Sequence, residues 1–288
     1  MFKSNNQTLE VISTIQETRI KVQEWKKQGL NIGFVPTMGA LHVGHESLIK
    51  KARQECAKVI VSIFVNPIQF GPNEDYNRYP RQLENDTEIC ANNGVDLIFA
   101  PTVGEMYPEK EHLTKVCPPE FFQNKLCGKS RPGHFDGVAT VVLKLFNIIQ
   151  PDKAYFGQKD AQQLIIIKKI CRDLSFPTEI ISCHIIRDTD GLACSSRNAY
   201  LSAEARQKAL SLFKTLKKIE ELYFSGLNSK DENFDLAKKY LDPGVELEYL
   251  EANDLNTFET LDTIKSNTLI DIAARVDKVR LIDNIVIK

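Results

Sequence analysis

Val59-Ile60-Val61-Ser62-Ile63-Phe64-Val65 is an almost unbroken apolar run, rich in β-branched side chains and ended by Asn66-Pro67. It lacks the apolar–polar alternation of a strand with one wet face. It therefore predicts a strand covered on both faces, as in a parallel sheet. Parallel neighbours are joined by long crossovers, usually helical, so such a strand calls for helices around it. Residues 31–35 read as an earlier strand, and from His45 onward Leu48, Ala52 and Cys56 recur every four positions on one helix face. A helix follows from about Arg81 to Asn93, stopped by Gly94 as a C′ glycine. Strand 95–99, helix 137–150 ended by Pro151, strand 153–156, helix 160–173 and strand 179–183 continue the alternation. Right-handed βαβ units of this kind predict an α/β fold with a doubly wound parallel sheet. Ligands of such sheets bind beyond the carboxyl ends of the strands. Met38, Asn66, Gln69 and Gly157 all fall just after predicted strands, and are expected at that edge.

The pattern changes near residue 184. A long helix is predicted from the N-cap Ser202 to Phe224, with Ala209, Leu212, Leu216 and Ile219 on one face. A second covers about Asp231 to Tyr240, and strand-like runs at 245–250, 269–274 and 279–287 close the chain. Helices followed by strands predict a smaller C-terminal α+β domain, residues 184–288, after a first domain of residues 1–183. Two domains suit a chain of 288 residues.

Composition narrows the class. A hydrophobic share of 42% and a charged share of 26% are those of an ordinary globular protein. A net charge of -1 argues against a nucleic-acid footprint. No apolar stretch approaches the roughly 18 residues of a membrane span, and Met1–Gln7 has no apolar signal core. Seven cysteines, an odd number without a Cys-x-x-Cys pair, favour reduced thiols and a cytoplasmic setting.

The strand at 31–35 runs into Pro36-Thr37-Met38-Gly39-Ala40-Leu41-His42-Val43-Gly44-His45. Two histidines three apart fall on one side of a helix start, and two glycines permit close backbone approach. A helix N-terminus presents unpaired N–H groups and partial positive charge, which suit phosphate. Imidazoles there can donate to a nucleotide triphosphate attacked at its α-phosphorus, which points to adenylyl transfer. Taken alone, the pair also reads as one capping and one surface histidine. A zinc site would need further ligands, and none is evident.

Five segments in order resemble the pantoate–β-alanine ligase (pantothenate synthetase) family within the HxGH nucleotidyltransferase superfamily. They are Phe34 to His45, Ser62 to Phe70, Arg131-Pro132-Gly133-His134-Phe135, Phe156-Gly157-Gln158-Lys159-Asp160, and Asp190 to Asn198. The resemblance spans nearly the whole chain. It implies a Rossmann-like nucleotide domain, a C-terminal lid domain, a homodimer, and a requirement for ATP and magnesium (Mg2+). It implies that pantoate is joined to β-alanine through a pantoyl adenylate, with release of AMP and diphosphate.

By the same resemblance, ATP binding falls on Met38, Gly39, Ala40, Leu41, His42, Val43, Gly44 and His45, then on Gly157, Gln158, Lys159 and Asp160. Ile186, Cys194, Ser195, Ser196 and Arg197 complete that set. His45 takes the proton-donor role, with His42 and Lys159 also catalytic. Lys159, just before a helix, is a mobile point charge for the β- and γ-phosphates, while Asp160 faces the ribose hydroxyls. Alone, Gly-x-Lys-Asp reads as an ordinary loop and Ser195-Ser196 as a serine-capped turn. Ile186 matches a position whose backbone contacts adenine, and it equally suits core packing. Cys194 stands where the family has a larger apolar residue, and its contact is expected through the backbone. Gln69 and Gln163 correspond to the pantoate-holding residues, and Gln69 also borders the β-alanine site. Neutral amides suit a carboxylate that must stay nucleophilic. Asn66 is expected to order the Gln69 loop. Arg131 and His134 either guide β-alanine or pin a surface loop. Asp86 matches an acidic position linked to magnesium, although Asn85 stands where some members carry a second acid, and a solvated helix carboxylate is the alternative reading.

Two rivals differ in class. Another HxGH nucleotidyltransferase would keep the nucleotidyl group on its product. A non-catalytic nucleotide-binding module is disfavoured by the joint presence of Lys159, both histidines and both glutamines. A tRNA synthetase is disfavoured by length and by the missing basic surface.

Overall fold

Ile32, Phe34 and Val35 on one strand, and Val59, Ile60 and Val61 on the next, have no solvent exposure. Each such side chain contributes about 1.5–3 kcal/mol by leaving water, so the pair forms the centre of the sheet. The computed structural model describes residues 9–72 and 74–288. Six strands, β1 (Glu10–Ile12), β2 (Ile32–Thr37), β3 (Lys58–Ile63), β4 (Leu97–Phe99), β5 (Lys153–Gly157) and β6 (Glu179–Cys183), form one sheet in the order β1-β4-β3-β2-β5-β6. Every pairing in it is parallel. The fold is Rossmann-like α/β. The chain winds outward from β2 through β3 and β4 on one side, and through β5 and β6 on the other. The switch point therefore lies at the carboxyl end of β2, the place where such sheets hold ligands.

The helices are α1 (Ile15–Lys27), α2 (Val43–Glu55), α3 (Leu83–Asn92), α4 (Val103–Met106), α5 (Glu120–Gln123), α6 (Leu126–Ser130), α7 (His134–Ile149) and α8 (Ala161–Asp173). α3 ends as its sequence dictates: the N–H of Gly94, at φ 74°, donates to Ala91 O. α7 is apolar almost all round and correspondingly buried. β1 and α1 carry no clear sequence signal. α1 buries only Thr18, Val22 and Trp25, a stripe too narrow to stand out, and starts where Thr14 accepts from Glu17 N. Met1–Gln7, the stretch read for a signal core, lies outside the described residues.

The molecule divides into two units. One runs to Gly157 and includes Ile166–Cys183; the other comprises Gln158–Ile165 and His184–Lys288. A single cut after residue 183 would leave Gln158–Ile165 in the first unit, whereas the structure puts that segment with the second. The second unit contains α9 (Ala203–Phe224), α10 (Lys230–Ala237) and an antiparallel sheet β7-β8-β9 (Val245–Asp254, Thr268–Val276, Val279–Val286). Ser202 caps α9 by accepting from Ala205 N. Ala209, Leu212, Leu216 and Ile219 on α9 share a core with Ile270, Ile272 and Ala274 on β8. Among the described residues no helix is long and apolar enough to cross a membrane.

Candidate active site

After β2 the backbone takes two successive left-handed residues, Gly39 at φ 81° and Ala40 at φ 52°. This turn aims consecutive N–H groups inward, and Asp86 of α3 receives them. Its Oδ2 accepts from Ala40 N at 2.9 Å and its Oδ1 from Leu41 N at 2.8 Å. A Cβ on Gly39 would lie 2.9 Å from Asp86 Oδ2, so no side chain fits there. Asp86 has no solvent exposure. Burial pushes its pKa up, against the backbone N–H groups of Leu41 and Ala40 that hold the charged form. The carboxylate is thus not a solvated helix residue: each of its oxygens accepts a backbone N–H of the turn. Among the described residues no group of three or more His, Cys, Asp or Glu side chains is gathered to hold a metal.

His42 is the N-cap of α2, and the two histidines cap each other's turn. His42 Nδ1 accepts from Gly44 N at 3.1 Å, while His45 Nδ1 accepts from His42 N at 3.3 Å. The ring centroids are 4.1 Å apart. A neutral imidazole whose Nδ1 accepts carries its proton on Nε2. The caps therefore fix which nitrogen of each ring is the donor.

Asn66, Gln69 and Met38 meet beyond the strand ends. Asn66 Nδ2 donates to Gln69 Oε1 at 2.9 Å and to Gly137 O at 3.1 Å. Gln69 Nε2 donates to Met38 Sδ at 3.2 Å. Asn66 and Gln69 are both buried. At Gly137 the first turns of α7 press against this loop: a Cβ there would come within 2.4 Å of Ile68 O and 2.5 Å of Gln69 Cα.

Arg131 and His134 pin the same loop. Arg131 grips Glu74 with Nε to Oε1 and Nη2 to Oε2, both at 2.6 Å. Its Nη1 donates to His134 Nε2 at 2.8 Å, which leaves Nδ1–H to donate to Gln69 O at 2.8 Å. Burial would raise the Glu74 pKa, but Arg131 outweighs it and holds the carboxyl at about 2. Glu74 has no signal in the sequence, being 57 residues from its arginine.

The remaining candidates lie in the second unit, apart from Gly157, which ends β5. A Cβ on Gly157 would meet nothing within 4 Å, so no protein neighbour requires a glycine there. Gln158–Asp160 form one 3₁₀ turn, in which Lys159 Nζ lies 3.5 Å from Asp160 Oδ2. Gln163 is half-buried in the first turns of α8. Asn284 on β9 has no signal in the sequence. Its Nδ2 donates to Gln158 O at 2.9 Å and to Lys159 O at 3.0 Å. A tight loop closes where Cys194 N donates to Ile186 O at 2.9 Å. Ser195 then caps a 3₁₀ turn by accepting from Arg197 N at 3.3 Å. The buried Cys194 thiol donates to Asp188 Oδ1, and burial pushes its pKa up to about 12. Its side chain is thereby committed inside the protein.

A parallel sheet whose switch point opens onto a glycine turn and two capping histidines defines an HxGH-type α/β enzyme with a second, smaller sheet unit. The match to known proteins is more particular. The family model for pantoate–β-alanine ligase matches residues 10–286, and the chain belongs to that family. It is 49% identical over 284 residues to the pantothenate synthetase of Clostridium botulinum, covering 97% of this chain and all of that one. Identity to the Caldicellulosiruptor bescii enzyme is also 49%, over 96% of this chain and 99% of that one. The crystal structure of pantothenate synthetase from Thermus thermophilus superposes with a TM-score of 0.91 at 42% identity, covering 96% of this chain and 99% of that one. The pantoate–β-alanine ligase of Francisella tularensis, crystallised with β-γ ATP and β-alanine, gives 0.81 at 39% identity, covering 97% and 98%. The chain is accordingly a ligase that joins pantoate to β-alanine.

Proposed function

We propose that the ligation runs through a pantoyl adenylate. A carboxylate does not condense with an amine unaided, because oxide is a very poor leaving group. Pantoate oxygen attacks the α-phosphorus of ATP, the bond to the β-phosphate oxygen breaks, and diphosphate leaves. The β-alanine nitrogen then attacks the acyl carbon, AMP leaves, and the amine gives up a proton. Neither step needs a covalent bond to the protein, whose work is positioning and charge stabilisation.

The observation that carries this reading is the pair of imidazoles at the N-terminus of α2. With Nδ1 of each ring taken by a backbone N–H, Nε2–H of each is the donor offered to phosphate. His45 serves as the proton donor to the leaving diphosphate, and His42 supports the developing charge. In the second unit, Lys159 neutralises the β- and γ-phosphates, with Ser195, Ser196 and Arg197 as further phosphate donors. Gly157, with open space about it, lets nucleotide approach the backbone. Gln69 and Gln163 hold pantoate, and Gln69 borders β-alanine. The Francisella relative, crystallised with β-γ ATP and β-alanine, supports the choice of substrates. Magnesium accompanies the phosphates of ATP and no protein-bound ion is invoked. A homodimer in the cytoplasm completes the proposal, its oligomeric state testable by sedimentation.

The test is an assay of diphosphate and AMP with each substrate omitted in turn. Diphosphate release without β-alanine, and AMP release only with it, is the expected result. Nucleotide retained on the product identifies a different HxGH transferase. His45→Ala is expected to slow diphosphate release at least about a hundredfold, the cost of one oxyanion-type donor. A burst at the unaltered rate removes His45 from the chemistry.

A further inference from the structure

We propose that Tyr107 is a positioning residue for the ligase reaction: through Asn66 it sets the orientation of the Gln69 amide, and with it the group that pantoate meets. The inference rests on the reading above that Gln69 holds pantoate.

Tyr107 follows α4 directly and is 3% exposed. Its ring is wedged by Phe64, with centroids 5.9 Å apart, and by Lys144 Nζ 5.5 Å from its centre. Lys144 in turn donates to Met106 O. The phenol O–H donates to Asn66 Oδ1 at 2.8 Å. Burial pushes the Tyr107 pKa up, so the phenol keeps its proton and remains a donor.

The relay is directional. Gly137 O is a backbone carbonyl and can only accept, so Asn66 must turn its NH2 toward it. That NH2 has two protons, and the second goes to Gln69 Oε1. Asn66 Oδ1 then faces Tyr107, and the phenol satisfies it. With its oxygen engaged, Gln69 carries its NH2 at the other end, next to Met38 Sδ. An amide donor is what a carboxylate or hydroxyl oxygen of pantoate requires. A flipped amide would present an oxygen and repel the carboxylate. Removing the phenol O–H leaves a buried Asn66 oxygen unsatisfied and takes away one of the bonds that fix the Asn66 side chain, which loosens its hold on Gln69 Oε1.

The experiment compares KM for pantoate and for ATP in the unaltered protein, Tyr107→Phe, Gln69→Ala and the double variant, with thermal unfolding in parallel. Tyr107→Phe is expected to raise KM for pantoate about tenfold, the usual scale of one buried hydrogen bond, and to move KM for ATP less than about twofold. In the Gln69→Ala background it is expected to have no further effect on pantoate. Equal changes for both substrates, or an undiminished effect without Gln69, would overturn the inference. If Gln69→Ala raises KM for pantoate and Tyr107→Phe does not, the inference alone fails. If Gln69→Ala has no effect, the pantoate reading fails and takes the inference with it. Should Tyr107→Phe not fold, Asn66→Ala cuts the same relay one link further on and is judged by the same outcomes.

Discussion

Asn284 holds the backbone on which Lys159 is carried: one side-chain NH2 reaches the carbonyls of both Gln158 and Lys159. The residues are 125 apart in sequence, and β9 supplies the rigid support. Asn284 is 1% exposed, so neither bond is weakened by competing water. A long, flexible lysine is accurate only if its Cα is fixed. Asn284→Ala is therefore expected to slow single-turnover diphosphate release about tenfold, for a loss of ~1–2 kcal/mol of hydrogen bonding. Lys159→Ala should slow it more, and the double variant no more than Lys159→Ala alone. Additive losses would show that Asn284 acts on something other than Lys159.

Asp86 divides a structural from a metal-binding account. Asp86→Asn keeps the shape but turns an NH2 toward the N–H of Ala40 or Leu41, each now bonded to a carboxylate oxygen. The expected outcome is a loss of ~1–3 kcal/mol in stability and a slower first half-reaction. Its dependence on Mg2+ concentration should be unchanged. A shift of the Mg2+ titration midpoint in Asp86→Asn would restore the metal role.

The centre of the sheet was legible because its strands are buried on both faces and so lack polar positions, as at Val59, Ile60 and Val61, whereas the short, partly exposed edge strand β1 was not. α9 was legible down to its cap, because Ser202 and the apolar spacing of three and four residues are local signals. α1 was not, since its buried side is only Thr18, Val22 and Trp25. Within the candidate site, the HVGH turn and the Gln158–Asp160 turn could be read from contiguous residues. Tyr107, Glu74 and Asn284 could not, because each acts across 41 to 126 positions and has no spacing of its own. Asp86 had a recognisable position but not a recognisable partner, as backbone N–H groups leave no trace in a sequence.

Gly137 is a close-packing glycine, and its contacts fall on the loop that carries Gln69. The added methyl of Gly137→Ala would overlap Ile68 O and Gln69 Cα. These are backbone atoms, so the loop must move as a unit. The expected cost is ~1–3 kcal/mol of stability from overpacking, together with a higher KM for pantoate and a nearly unchanged KM for ATP. An unaltered pantoate KM in a destabilised Gly137→Ala protein would mean that the loop relaxes without moving the Gln69 amide.

Asp271 makes the second unit sensitive to pH. It sits on β8 opposite Asn284, 6% exposed, and its Oδ2 has no hydrogen-bond partner. Burial first, then the charges of Asp283 and Glu251, push its pKa up to about 8. Asp283 itself is satisfied by a bidentate pair with Arg187, at 2.6 and 2.8 Å, and gives Asp271 no compensating cation. In the unfolded chain an aspartate loses its proton near pH 4. Between about pH 4 and about 8 the folded state therefore binds more protons than the unfolded state, and stability falls as pH rises through that window. Asp271→Asn removes the ionisation while keeping the shape. Its melting temperature is expected to match the unaltered protein at about pH 4.5 and to exceed it by about 3 °C or more at about pH 8.5. The comparison is of differences between the two proteins at each pH, so other titrating groups cancel. A constant difference across the range would show that the Asp271 carboxyl titrates alike in the folded and unfolded chain, and that burial does not shift it.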